Sequence, residues 1–500
     1  MPDFAFGNAT EPAPQRDGGF RPGPSRIRTP VDRPTPQRWM PGLAGTALCA
    51  WLAGCAGTPL PELPADDVPG AWRGTDGGDA WPAEDWWRGF ASDELAVVLD
   101  RVRASNLELA NSERSLRAAE LALTDAGLDR YPSPSLDAGA SGSYAGSRPR
   151  GGDFRDGGSD AVDLTLGVDY PDLLDRRPRF AAATARYGSS LARAADTRLR
   201  ILAAAAASYF RILLIRDRAA AARLNLDNAE AIGRIVNARV DAGTALASED
   251  LRQRILVRRQ ANALRTLELD LLKARASLAL MVGESVWDFD VEGKTLADLA
   301  VPPVAPGLPS ELLLRRPDIV QAEAALREGR ADVDLARLAF LPRISLTGSG
   351  ALSSTLANLA ADGAAGVGAT SGIALGLFDL GRRQRGLVAS RLRLESLLAD
   401  YRRTVIGAFN DVEVALADID LLGALSEVLL EDVTLAEESV RITEARYREG
   451  VQEFEALLGA QDALYAARNA VLDNKLATLL AAVDLYTALG GGWHRPGPWP

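Results

Sequence analysis

The first periodic pattern in the chain places apolar residues three and four positions apart. Leu95, Val98, Leu99 and Val102 follow this spacing, which puts them on one face of a helix. A similar spacing returns in the second half of the chain. The pattern predicts helices over about 92–130 and 310–340.

After each of these helices the pattern changes to a period of two. In Val162–Tyr170 large apolar residues alternate with Asp, Thr and Gly, and in Ile373–Leu377 they alternate with small residues. This alternation predicts strands at about 134–146, 160–170, 342–352 and 369–378. It fits a membrane barrel wall, apolar toward lipid and polar or small toward water. A half-buried strand of a soluble protein has the same period.

Two very long helical stretches follow the strand pairs. Residues 176–240 and 382–448 contain almost no proline and are dense in Ala, Leu, Arg and Glu. A helix of about 65 residues extends roughly 100 Å, which is far longer than an average globular helix. Return helices are predicted at about 247–283 and 454–490. Frequent alanines, as in 203–207, allow the close packing of coiled or barrel-forming helices.

The same order of elements occurs twice, at an offset of about 207 residues. The matching segments are Pro134 with Pro342, Leu174–Arg177 with Leu380–Arg383, Ala238–Gly243 with Ala445–Gly450, and Leu280–Gly283 with Thr487–Gly490. Four matches in nearly one register predict an internal duplication. Four strands alone cannot close a barrel, and lipid does not tolerate an open sheet edge. If the strands are in a membrane, several copies must pool them, and three copies supply twelve. A periplasmic coiled-coil stalk without a membrane part is the alternative.

A short apolar segment predicts export and lipid anchoring. Residues 41–54 are uncharged and mostly apolar, too short to span a bilayer but right for a signal peptide. Leu52-Ala53-Gly54-Cys55 resembles a bacterial lipobox, so Cys55 is the predicted lipidation site. Ala56, where an Asp would resemble an inner-membrane retention signal, favours the outer membrane. A buried apolar helix with an incidental cysteine is the alternative.

Composition argues against catalysis, a metal site and nucleic acid as a partner. The chain has one histidine, His494, and two cysteines, Cys49 and Cys55. If it is cleaved before Cys55, neither a Cys/His zinc site nor a Cys–His nucleophile pair remains. A net charge of −11, with basic residues interspersed among acidic ones, is unlike a phosphate-binding surface. We predict no catalytic residue, no metal site and no cofactor besides the lipid on Cys55.

Four segments carry a specific resemblance to a known family. They are Gly307–Ile319 (GLPSELLLRRPDI), Ala339–Ser349 (AFLPRISLTGS), Leu377–Arg382 (LFDLGR) and Leu485–Trp493 (LYTALGGGW). With the duplicated elements behind a lipobox, they resemble the outer membrane efflux protein family. The type is TolC/OprM-like, and the NodT-like lipoprotein branch is the most similar. The resemblance covers about residues 80–493.

This resemblance implies an α+β membrane protein that forms a homotrimer. A twelve-stranded β-barrel, four strands per chain, would cross the outer membrane and continue into a twelve-helix α-barrel in the periplasm. Such proteins join a periplasmic adaptor and an inner-membrane pump, and they supply a passive exit duct for drugs, toxic compounds or metals. A channel of the same build for type I protein or peptide secretion is the alternative.

The expected organisation follows the chain from a cleaved leader to a short tail. It comprises a leader and signal peptide (1–54), a lipidated tether (55–90), a first repeat (91–283), a linker (284–306), a second repeat (307–493) and a tail (494–500). Aromatic residues are expected to pack the tether onto the body. These are Trp72, Trp81, Trp86, Trp87 and Phe90.

The turns between the long helices are the predicted periplasmic tip. Gly243 and Gly450 suit the left-handed position that ends a helix. Arg239 and Arg446, each in a last helical turn, complement the negative helix end. Capping alone explains these residues, and the resemblance adds that the adaptor grips the same turns.

The resemblance also implies an acidic ring that narrows the pore. OprM-like members often place an aspartate nine residues after the second tip glycine, and this chain has Gly459 there. We expect Glu453 and Glu455 to take that role instead. Glu249 and Asp250 are the corresponding candidates in the first half.

Overall fold

A computed structural model describes most of the chain beyond its N-terminal region. The described residues are 69, 72–73, 81–147, 155–170, 172–293, 295–303, 306–354, 364–376, 379–495 and 497. The predicted signal peptide, the predicted lipidation site Cys55 and most of the predicted tether lie outside them.

The duplicated order of elements is present in the folded chain. The first half contains α1 (Asp93–Ser105), α2 (Leu107–Leu128), β1 (Ser133–Ser147), β2 (Arg155–Tyr170), α3 (Arg176–Asp241) and α4 (Ala247–Val282). The second contains α5 (Pro309–Arg315), α6 (Pro317–Leu338), β3 (Arg343–Ser354), β4 (Ala364–Ala374), α7 (Arg382–Arg448) and α8 (Phe454–Ala488). The long helices α3 and α7 contain 66 and 67 residues, which corresponds to roughly 100 Å each. None of the helices in the described ranges is both long and apolar enough to cross a bilayer.

The strands form one antiparallel sheet in the order β1-β2-β3-β4. The pairing of β2 with β3 joins the two halves, with Leu166 opposite Gly350. Strand β4 begins before the predicted start at 369, because the Ala- and Gly-rich residues 364–368 also pair, although they lack a clear alternation.

The register puts the large apolar side chains of all four strands on one face of the sheet. They include Leu136, Leu164, Leu166, Leu346, Leu352, Val367 and Ile373. This apolar face is exposed: Leu166 is 54% and Val367 is 95% accessible in the single copy. The opposite face carries Ser, Thr, Asp and Gly. A soluble sheet buries its apolar face, so this arrangement is typical of a barrel wall that faces lipid.

Each predicted helix before a strand pair is interrupted once, which the sequence pattern does not show. Asn106 and Arg316 have extended backbones at the interruptions. The side-chain carboxamide nitrogen of Asn106 donates to the Met281 carbonyl at 2.8 Å, and the Arg316 guanidinium donates to the Ala488 carbonyl at 3.2 Å. Met281 and Ala488 are equivalent positions of the repeat. Both interruptions are therefore tied to the ends of the return helices in the same way.

The main core lies where these helix ends meet the long helices. Trp86, Trp87 and Phe90 are at most 4% exposed there and pack with Tyr209 and Tyr486. Trp72 is buried in a second cluster beside Phe409, and Trp81 donates to the carboxylate of Glu311 at 2.6 Å. The prediction that these aromatic residues pack against the body is confirmed.

Candidate functional site

The candidate site is formed by the two turns between the long helices. Gly243 and Gly450 have positive φ angles of 72° and 74°, the left-handed conformation that an αL helix end requires. The amide of each glycine donates to a carbonyl of the last helical turn, from Val240 and Tyr447 respectively, at 3.0 Å. The two turns thus repeat each other in backbone as well as in sequence.

A small apolar cluster joins the two turns into one body. Its buried members are Ile232, Val236, Tyr447, Phe454 and Leu457, each at most 5% exposed. The rings of Tyr447 and Phe454 are 5.6 Å apart. We call the two turns and this cluster, residues 232–250 and 446–457, the tip.

Arg239 contacts the other half of the chain instead of capping only its own helix. Its guanidinium lies 4.6 Å from the ring centre of Tyr447 and donates to the Tyr447 carbonyl at 2.6 Å. It thereby binds the negative C-terminal end of α7. The equivalent Arg446 is exposed and makes no side-chain hydrogen bond or ion pair with any described residue. The duplicated arginines therefore have different surroundings in a single copy.

Tyr447 completes this connection and was not singled out by the sequence. Its hydroxyl donates to a carboxylate oxygen of Glu249 at 3.0 Å. Burial, followed by this hydrogen bond, raises the pKa of Tyr447 to about 12. The only sign of this role in the sequence is that Tyr447 is aromatic where the equivalent position of the first half is Val240. Nothing in the sequence indicates its partner Glu249, about 200 positions away.

The structure distinguishes the four candidate gate carboxylates by their partners. Glu455 pairs with Arg252 at 2.9 Å and Asp250 with Arg254 at 3.6 Å. Glu249 accepts a hydrogen bond from the Tyr447 hydroxyl.

Among these four, Glu453 alone has no hydrogen bond or ion pair from its side chain within the described ranges, and it is exposed just before α8. Gly459 is exposed too, with open space around a Cβ placed there. In the described residues, no three His, Cys, Asp or Glu side chains are grouped to hold a metal.

Comparison with known proteins agrees with this architecture. The family model described as "Outer membrane efflux protein" matches residues 98–284 and 308–491. The chain is 34% identical to the pyoverdine export outer membrane protein OpmQ of Pseudomonas aeruginosa, over 91% of this chain and 98% of that protein. It is 29% identical to the cation efflux system protein CusC of Escherichia coli, over 82% and 88% of the two chains.

Solved outer-membrane channels share the fold. The open state of the MtrE channel of Neisseria gonorrhoeae matches with a TM-score of 0.77 and 26% identity, over 87% of this chain and 98% of that one. The OprN channel matches with a TM-score of 0.77 and 24% identity, over 88% and 99%. The predicted fold class is confirmed: four strands per chain, pooled by three copies into a twelve-stranded barrel that continues into a twelve-helix barrel.

Proposed function

The chain belongs to the outer membrane efflux protein family, and from this premise we propose its specific role. It is an outer-membrane channel component of an efflux system, and the family is one of channels and not of enzymes. The exposed apolar face of the four-stranded sheet carries this conclusion, because a barrel wall between lipid and water needs one apolar and one polar face. We propose that the duct catalyses nothing and that an energised partner drives export through it.

The chemistry of the tip supports an assembly with a periplasmic adaptor, which links the duct to an inner-membrane pump. The turns at Gly243 and Gly450 are exposed, and Arg446 lies beside them without a partner in the described part of its own copy. A helical hairpin of the adaptor can bind such turns through exposed backbone groups and charged side chains. We also propose that a lipid on Cys55 anchors the chain to the outer membrane.

We propose small molecules as the exported class. Relatives are named for pyoverdine export, cation efflux and toluene efflux, and no observation in the described residues favours protein or peptide secretion. A strain that lacks the chain should become sensitive to part of a panel of drugs and metals, and the intact chain should restore resistance. If resistance is unchanged while a secreted protein is retained in the cell, the proposal is wrong.

Glu453 is the proposed main contributor of an acidic ring, with Glu455 as its neighbour. Three free carboxylates from three copies would concentrate cations in a narrow water-filled passage. Glu453→Gln with Glu455→Gln should lower cation selectivity in planar bilayers, and Glu453→Gln alone should produce most of the effect because Glu455 already pairs with Arg252. Unchanged conductance and selectivity in the double variant would contradict the proposal.

A further inference from the structure

Within one copy, the two halves of the helical wall meet on one side only. Helix α3 packs along α8, whereas α7 and α4 make no comparable contact among the described residues. Helices α3 and α7 are repeat equivalents, and so are α4 and α8. The faces of α7 and α4 that correspond to the α3–α8 contact are therefore uncovered within one copy.

The existing contact defines a register. The Tyr465 hydroxyl of α8 lies 3.5 Å from the carbonyl oxygen of Asn225 on α3, and Arg218 of α3 pairs with Asp473 of α8. Further along the same two helices, Leu214 is buried in the main core and the partly buried Leu476 packs against it. The helices are therefore antiparallel, with 225 opposite 465 and 214 opposite 476.

The same register can be applied to the equivalent helices, α7 and α4. It then places opposite each other residues that have no contact within one copy. Asn225 corresponds to Asp432 and Tyr465 to Arg258, so an acidic and a basic side chain replace a neutral pair. Both are exposed, and neither has a hydrogen bond or ion pair with another residue that the structure describes. The charges are complementary at the position where the duplication predicts contact.

Apolar residues on the same two faces show the same correspondence. Leu214 corresponds to Leu421 and Leu476 to Leu269, which are 66% and 52% exposed in the single copy. Near the tip, Ile232 is buried and Leu458 packs against its cluster, and their equivalents are Ser439 and Leu251, the latter 58% exposed. Apolar residues that recur on uncovered faces of otherwise packed helices are typical of an interaction site.

We propose that the α4 face at Leu251, Arg258 and Leu269 binds the α7 face at Ser439, Asp432 and Leu421 of a second copy. The Arg258–Asp432 pair then fixes the register between copies. Contacts of α3 with α8 inside each copy would alternate with contacts of α7 with α4 between copies, which closes a ring of twelve helices. The proposal rests on the trimeric channel described above and adds which faces meet and in which register.

Paired cysteines test the register directly. In the trimer, Leu421→Cys with Leu269→Cys and Ser439→Cys with Leu251→Cys should each yield covalent dimers and trimers with a short bismaleimide reagent. The exchanged combinations, Leu421→Cys with Leu251→Cys and Ser439→Cys with Leu269→Cys, place the thiols 18 residues out of register, about 27 Å apart along a helix. They use the same four positions and should not cross-link. The unsubstituted chain controls for Cys49 and Cys55.

Charge exchange tests the ion pair. Arg258→Asp and Asp432→Arg should each lower the melting temperature of the trimer by several degrees, and the double variant should recover most of that loss. Equal cross-linking in all four cysteine combinations, cross-links only to another protein, or no recovery in the double variant would overturn the proposed contact.

Resistance conferred by each variant is measured in parallel. Trimers that export normally but do not cross-link in register would refute the contact and leave the proposed function intact. Loss of export by the unsubstituted chain would refute the function itself.

Discussion

Two positions at the ends of the return helices accept only glycine. Gly283 and Gly490 are repeat equivalents with φ angles of 81° and 87°. A Cβ on Gly283 would lie 2.9 Å from the carbonyl oxygen of Ser105, and one on Gly490 would collide with that of Arg315. The left-handed backbone and the close approach both exclude a side chain, so these glycines let the return helices abut the helix interruptions.

Gly490→Ala should destabilise the protein by about 1–3 kcal/mol or more, because strain at positive φ adds to the collision. Thermal melting of the purified trimer measures this change. Gly386→Ala is the matched control: Gly386 is exposed inside α7 with nothing within 4 Å of an added Cβ, so its replacement should be neutral or slightly stabilising. Equal melting temperatures for the two variants would contradict this account.

Tyr447→Phe should loosen the tip, because it removes the hydrogen bond to Glu249 and retains the ring under Arg239. A hydrogen bond to a charged group contributes about 1.5–3 kcal/mol. Single-channel recordings should therefore show a larger open fraction. Tyr465→Phe is the control, since its hydroxyl is 3.5 Å from a neutral carbonyl and should matter less.

The same tyrosine predicts a pH dependence. Its pKa of about 12 lies above the ordinary value of 10, so the folded tip favours the protonated hydroxyl. The stabilisation is complete below pH 10 and is lost as the pH rises from 10 through 12. Recordings on the unsubstituted chain should show the open fraction rising in that range, and Tyr447→Phe should lack this rise.

At the scale of elements, the interrupted helices before the strands show how one polar residue can organise two helix ends. The Asn106 carboxamide accepts from the amides of Glu108 and Leu109 at 2.9 and 3.0 Å, as an N-cap. Arg316 precedes Pro317, which disfavours helical backbone at that position, and pairs with Asp318 at 2.7 Å and Asp411 at 3.0 Å. Different chemistry therefore produces the same joint in the two repeats.

Arg316→Ala should be more destabilising than Asn106→Ala. It leaves the partly buried Asp318 without its cation, and this loss lies toward the lower end of the about 3–5 kcal/mol that breaking a fully buried pair costs, whereas losing an N-cap costs about 0.5–2 kcal/mol. Chemical denaturation of the two variants compares them. An equal loss would mean that Asp411 and the backbone contact contribute little in the second joint.

At the scale of the whole molecule, the two faces of the sheet separate lipid from the duct. Leu166 and Thr165 are neighbours in β2 and lie on opposite faces. Leu166→Arg should hinder assembly in the outer membrane, because arginine at the middle of the lipid face costs about 2–4 kcal/mol. Thr165→Arg should assemble and shift ion selectivity toward anions.

The yield of heat-resistant trimer in outer membranes, followed by bilayer recordings, distinguishes the two arginine variants. Normal assembly of Leu166→Arg together with failure of Thr165→Arg would reverse the assignment of the faces.

The sequence by itself determined the order of the elements, the lengths of the long helices and the duplication, because helical and strand periodicities are local properties of the chain. The predicted long helices at 176–240 and 382–448 agree with α3 and α7 within one residue. Tip residues Gly243 and Gly450 were also recognisable, since a left-handed helix end has a local signature. Strand alternation alone left lipid and a soluble core open as alternatives.

Only the tertiary structure decided which residues far apart in the sequence meet. Arg239 with Tyr447, Tyr447 with Glu249, and the ties at Asn106 and Arg316 join positions roughly 170–210 apart along the chain. No local period encodes such pairings, because they depend on how two long helices align when their cores pack. The packed register also put every large apolar strand residue on one exposed face, which resolved the alternative that alternation had left open.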